Sequence, residues 1–213
     1  MRAAPSIALL SVVSVFGVEL GWAGTFTIYP RQSALVVQIF KDGVAARLAH
    51  DHVVQARAFS GTVAYDPLKP DVSAIQVKVE VESLQADDPA TRQKFGLEGG
   101  EPSAKDRADI EATMKSDGQL AAARFPSITF ASTSIAKQPD GRLLVTGRLT
   151  IRGVAHEVKF PAQVTMEGGL LRGRAELTFK QSSFGYQPYR AALGAIKNKD
   201  EVILHIDLGA KAP

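Results

Sequence analysis

The chain has no cysteine among its 213 residues, so it has neither a disulfide nor a thiolate-held metal to stabilise it or carry chemistry. Local catalytic signatures are missing as well. No Gly-x-Ser-x-Gly elbow, His-Glu-x-x-His helix, phosphate loop or dinucleotide fingerprint occurs. Runs of like charge are absent: lysine and arginine are dispersed among aspartate and glutamate, with a formal charge of +3 and a pI near 9.2. That pattern excludes a nucleic-acid arm and leaves, at most, transient contact with an anionic membrane surface. Beyond the N-terminus no apolar run is long enough to cross a bilayer.

The one apolar run, Ile7 to Val18, follows Met1-Arg2 and has the length of a secretory h-region. Glu19 interrupts its end, and Gly21 and Ala23 stand where a signal peptidase requires small residues. The expected organisation is a cleaved signal peptide over residues 1–23 and one domain over residues 24–210, exported to a periplasm. No cysteine stands near the cleavage point, which excludes lipoprotein processing. A domain of this size buries a full core without cross-links.

From Thr25 onward the dominant period is two, the mark of half-buried strands. In Ile75-Gln76-Val77-Lys78-Val79-Glu80-Val81-Glu82 four apolar residues alternate with four polar ones. The parity recurs in Val158, Phe160, Ala162 and Val164, in Leu171 to Phe179, and in Val202, Leu204, Ile206 and Leu208. Further strands are expected over 25–29, 34–41, 47–57, 61–65, 127–135 and 143–152. Turn residues separate them, among them Pro30, Asp42-Gly43, Pro139-Asp140-Gly141 and Gly168-Gly169. Strands in this succession make an up-and-down antiparallel sheet, which must close into a barrel or pair as a sandwich.

Between Leu84 and Phe125 the chain turns polar. Ser103 with Asp106 makes a capping box for a helix to Lys115, and Ile110 and Met114 share one of its faces. A short helix laid over one end of the barrel as a lid is expected, in a loop of the length that usually carries function. Asp87 and Asp88 read as solvated carboxylates of this polar stretch.

The histidines are the candidate polar site. In a strand over 47–57, His50 and His52 share parity with Leu48, Val54 and Ala56 and should face inward, while Asp51 points out. His156 has the inward parity of Val158 and Phe160, whereas His205 should be exposed. His50 and His52 can grip a ligand head group, or satisfy each other. As the alternative, His50, His52 and His156 can ligate zinc, copper or a haem iron.

Four motifs in order resemble the YceI-like family of exported, polyisoprenoid- or lipid-binding proteins. They are Phe59-Ser60-Gly61 leading to Tyr65-Asp66-Pro67, Phe125-Pro126-Ser127-Ile128-Thr129-Phe130-Ala131-Ser132, Gly147-Arg148-Leu149-Thr150-Ile151-Arg152-Gly153-Val154, and Ser182-Ser183-Phe184-Gly185. The resemblance spans Thr25 to about Leu208. It implies an extended eight-stranded antiparallel lipocalin-like barrel, without enzymatic activity or cofactor, holding a long isoprenoid quinone, polyprenyl compound or similar lipid. Two stretches depart from the family pattern: Ala49-His50-Asp51-His52 replaces an apolar and basic run, and Lys105-Asp106-Arg107 with Asp109-Ile110-Glu111 replaces an Arg-Asp-x-His-Leu stretch.

Inward parity then predicts a lumen lined by Leu35, Val37, Ile39, Val77, Val79, Val81, Phe130, Phe160, Leu177 and Phe179, with His50 and His52 within reach of a polar head. Each buried methylene contributes about 0.8 kcal/mol against an association cost of about 4 to 15 kcal/mol. A short tail therefore binds poorly, and only a chain on the order of fifteen or more carbons clears the upper cost.

Overall fold

The computed structural model describes residues 23–97 and 101–212, so the expected targeting segment lies outside the described residues. The strands are β1 (Gly24–Ile28), β2 (Ala34–Asp42), β3 (His52–Ala56), β4 (Phe59–Tyr65), β5 (Ala74–Glu80), β6 (Leu84–Ala86), β7 (Ser127–Lys137), β8 (Leu143–Ile151), β9 (Val154–Glu167), β10 (Leu170–Lys180), β11 (Arg190–Ala191) and β12 (Ile196–Lys211). The helices are α1 (Pro89–Lys94) and α2 (Ala104–Lys115).

Three of the barrel's staves are interrupted strands. β1 and β2 are separated by a turn at Pro30–Gln32, β3 and β4 by two residues, and β5 and β6 by a turn at Val81–Ser83. The breaks fall side by side, because β3 pairs with β2 (Val37 opposite Val54) and with β6 (Val54 opposite Ala86), while β4 pairs with β1 (Phe26 opposite Val63) and with β5 (Phe59 opposite Val79). With β7, β8, β9, β10 and β12 they make eight staves, each antiparallel to its neighbours. β12 closes the ring, pairing with β10 on one edge and on the other with β2 (Leu204 opposite Val37) and β1 (Ala210 opposite Ile28). Closure into a barrel, rather than pairing as a sandwich, removes the exposed edges of an open sheet.

The quoted motifs have physical reasons. Arg152 and Gly153 both take positive φ (52° and 72°), the geometry of a two-residue hairpin between β8 and β9. Gly147 faces Phe130, and a Cβ there would collide with the edge of the Phe130 ring, at Cζ and Cε2, so only glycine lets that ring cross the neighbouring strand. Phe184 is buried at the end of the barrel with its ring edge-on to Phe179 (5.5 Å) and His156 (5.3 Å). Inward residues from every stave form one continuous hydrophobic cluster.

Two expectations about elements need correction. The strand expected over 47–57 starts only at His52, because 46–48 form a turn and the preceding loop folds back: Asp51 accepts the Lys41 N–H (2.8 Å) and Lys41 Nζ donates to the Ala49 carbonyl (3.0 Å). α1 is an additional helix, with Asp88 accepting the Thr91 N–H at its N-cap (3.1 Å) and Pro89 in its first turn. It lies on the outer wall, where Thr91 Oγ1 donates to Gln55 (2.8 Å), and it explains why Val53 and Val36 are buried although they point outward. α2 agrees with the expected helix, its capping box between Ser103 and Asp106 included.

Candidate functional site

Two apolar chambers share a wall inside the barrel. The inner one, about 160 Å³, is lined by residues from all eight staves, all apolar apart from Thr129. The outer one, about 290 Å³, lies at the end of the barrel beneath α2 and adds His52, Asp109, Thr113, Gln119, Gln181, Tyr186, Tyr189 and Asn198 to an apolar floor. Val37, Val54, Leu84, Ile128, Ile151 and Phe179 line both, so the two chambers adjoin, the inner one dry and the outer one polar at the mouth of the barrel.

The expected lining residues distribute over both chambers. Leu35, Val37, Val77, Val79, Phe130, Phe160, Leu177 and Phe179 line the inner chamber, and Ile39 the outer. Val81 does not belong to the lining. It sits in the turn that joins β5 to β6, fully buried, with its N–H donating to the Pro126 carbonyl (2.9 Å). Parity fails there because the alternation of Ile75 to Val79 stops where the strand breaks.

His52 is the polar centre. Its Nδ1 lies 2.6 Å from Oδ2 of Asp87, whose side chain is 0% exposed; Oδ1 of Asp87 accepts the Val53 N–H (3.1 Å) and Nη1 of Arg92 (2.8 Å). Arg92, 3% exposed, also donates to the Asp51 carbonyl (2.9 Å). Asp87 is therefore not the solvated carboxylate its polar neighbours imply. Burial alone would raise its pKa, but the hydrogen bond and charge of His52, the Val53 amide and Arg92 outweigh that and hold it below the usual carboxylate value. An ionised carboxylate only accepts, so Nδ1 of His52 carries the hydrogen. Nε2, without a hydrogen-bond partner among the described residues, is left for the outer chamber.

The other histidines stand elsewhere. His50 is exposed on the loop before β3, its ring centroid 6.4 Å from that of His52, because the strand that would have turned it inward has not begun. His156 keeps its inward parity but lies at the exposed end of β9 against Phe184. His205 points outward as expected but is half covered: Phe95 packs on its ring (4.8 Å), with Glu176 (3.0 Å) and Gln38 (3.2 Å) at its nitrogens. Among the described residues no three His, Asp or Glu side chains gather to hold a metal ion. The His50, His52 and His156 set is thus not brought together.

Over the outer chamber, α2 supplies Ile110 and Met114 from the predicted face and is pinned by Glu111 accepting the Ala86 N–H (3.0 Å) and Lys115 Nζ donating to the Glu82 carbonyl (2.9 Å). No residue of α2 is fully buried, so it rests on the barrel rather than forming part of its core. Tyr186 lines the same chamber, and burial pushes its phenol well above the ordinary value.

A closed up-and-down barrel with an apolar slot defines a lipocalin-like binding fold. The YceI-like domain family matches residues 26–210, and the chain belongs to it. Among solved structures, Burkholderia cenocepacia BcnA superposes with a TM-score of 0.68 at 22% identity, over 86% of this chain and 99% of that one. A Campylobacter jejuni YceI protein superposes with a TM-score of 0.56 at 16% identity, over 75% and 84%. A UPF0312 protein of Shewanella sp. strain W3-18-1 is 29% identical over 122 residues, 57% of this chain and 54% of the relative. The chain spans about half the length of the curated relatives it matches.

Proposed function

We propose that this protein is an exported carrier that holds a long-chain amphiphile, such as an isoprenoid quinone, a polyprenyl compound or a similar lipid. The tail lies in the inner chamber and the head in the outer one. The observation that carries the reading is the pair of adjoining chambers, apolar at depth and polar at the mouth. The outer chamber alone stands near the lower end of the range for small-molecule sites, about 300 to 1,000 Å³. A long tail therefore needs the inner chamber as well, and the carrier reading joins the two adjoining chambers into one site.

His52 fixes the head. With Nδ1–H committed to Asp87, Nε2 is the ring nitrogen left to meet the ligand head, which suits a hydroxyl, a group able both to donate and to accept. Gln119, Gln181 and Asn198 supply further polar groups around it. Export rests on the N-terminal apolar segment with its small-residue cleavage site.

The test is native mass spectrometry of the protein purified from its own host, followed by solvent extraction. A co-purifying lipid with a chain on the order of fifteen or more carbons is expected, and His52→Phe should lower its retention about tenfold, equivalent to about 1.4 kcal/mol. Protein that carries only its own mass, and takes up no lipid when offered it, would sink the reading.

A further inference from the structure

Exposed apolar side chains are ordinarily scattered, but at the mouth of the slot they gather. Val44 (96% exposed), Leu48 (70%) and Leu193 (110%) stand on two loops, 43–51 between β2 and β3 and 192–195 between β11 and β12, with Tyr189 beside them. The loops are tied together. Ala45 N–H donates to the Ala195 carbonyl (2.9 Å), Asn198 N–H donates to the Tyr189 carbonyl (3.0 Å), and Lys197 pairs with Asp42 (3.2 Å). Gly43, at φ +98°, lies so close to the Ala195 carbonyl that any Cβ would collide with it.

Backbone conformation makes the projection deliberate. Ala192, Leu193 and Gly194 all take positive φ (48°, 56° and 88°), a region leucine disfavours, and the side chain so displayed touches little. A fold that holds a leucine fully in water at a strained position gains nothing from it in isolation.

Charge indicates what covers this tip. Residues 41–51 and 189–199 hold Lys41, Arg47, Arg190, Lys197 and Lys199 against Asp42 and Asp51. Asp42 is paired with Lys197, and Asp51 accepts a backbone N–H, while Arg47, Arg190 and Lys199 are exposed. The exposed apolar pair at the opposite end, Leu68 and Val72, lies instead among Asp66, Lys69 and Asp71. Apolar tips rimmed by cations fit an anionic bilayer surface, where the side chains reach the acyl boundary and the cations meet head groups.

We infer that the paired loops 43–51 and 189–199 dock on an anionic lipid bilayer, with Val44, Leu48 and Leu193 inserted and Arg47, Arg190 and Lys199 at the head groups. Tyr189 and Asn198 belong both to this tip and to the outer chamber, so docking brings the mouth of the slot to the membrane. The inference goes beyond the carrier reading, since docking needs no ligand in the slot.

It is tested by co-sedimentation of solvent-stripped protein with phosphatidylcholine vesicles, with and without phosphatidylglycerol. Residues 24–213 are used, so that the N-terminal apolar segment cannot account for binding; the barrel closes between β1 and β12 without it. Partition onto the anionic vesicles, weakened by salt, is expected. Val44→Ser and Leu193→Asn, a residue suited to positive φ, should each lower it about tenfold, and Arg47→Ser and Arg190→Ser about fivefold each. Circular dichroism checks that the variants keep the barrel, and Leu68→Ser at the far end should bind as the parent does. Absence of partition, or equal loss in Leu68→Ser, overturns the inference. So does a dimer in sedimentation velocity that Leu193→Asn dissolves while vesicle binding is absent, which would assign the tip to a second copy of the chain.

Discussion

At the scale of single residues, the group that matters most is one that local sequence disguises. Asp87 sits in an Asp-Asp-Pro stretch that reads as a solvated turn, yet it takes φ 51° and is wholly buried between His52, Val53 and Arg92. Nothing in the sequence marks it, because its partners come from β3 and from α1, and their convergence is a property of the closed barrel. His52 was legible as an inward residue from alternation, while His50 was not, since parity is meaningful only where a strand exists. Asp87→Asn tests the network without disturbing the backbone, because asparagine also tolerates positive φ. It leaves Arg92 buried without an anionic partner, an expected loss of about 3 kcal/mol in chemical unfolding. The pH dependence has a definite sign. Asp87 has a folded pKa below its unfolded value, so its contribution is complete above about pH 4 and is lost as pH falls through the folded value. Acid unfolding of the parent should therefore contain this component, and that of Asp87→Asn should lack it.

At the scale of elements, the strands with unbroken alternation were legible nearly to their ends, and the interrupted staves were not. The break at Val81–Ser83, where the Val81 N–H turns to the Pro126 carbonyl beside the adjacent stave β7, is announced by no local pattern, and it removes Val81 from the lining. α1 is not legible in the sequence because six residues are too few to show a helical period. α2 was legible because its capping box is local, Ser103 Oγ accepting the Asp106 N–H (3.2 Å) while the Asp106 carboxylate accepts from Ser103. With no residue of α2 fully buried, that cap contributes an unusual share of the helix's stability. Ser103→Ala should cost about 1 kcal/mol locally. The measurement is hydrogen exchange: amides over 104–115 should exchange about fivefold faster, while those of β8 and β9 are unchanged. Equal acceleration throughout would mean that α2 is integral to the barrel rather than a cover laid on it.

At the scale of the whole molecule, alternation alone fits a barrel and a filled sandwich equally well, and the motif resemblance decided for the barrel. The structure adds what neither contains: the pairing of β12 with β1 and β2 that closes the ring, and a division of the interior into a dry chamber and a polar mouth. If the slot is one site, its depth governs the length of chain it accepts. Gly173 lines the deep chamber on β10, opposite Leu208, and a Cβ there would meet nothing within 4 Å. Gly173→Phe can therefore place a ring in open space, and replacing a glycine within a strand also favours the strand itself. Thermal unfolding should occur at or above the parent temperature, whereas a ring that struck its neighbours would cost about 1 to 3 kcal/mol. Competition between chains of increasing length should then show a graded effect. Short chains, which fill only the outer chamber, bind as weakly as they do to the parent, and each methylene forced out of the deep chamber forfeits about 0.8 kcal/mol, close to fourfold in affinity. Loss of all ligands alike would place the binding determinant at the head. Unchanged affinity for long chains in a stably folded Gly173→Phe would mean that the tail never enters the barrel.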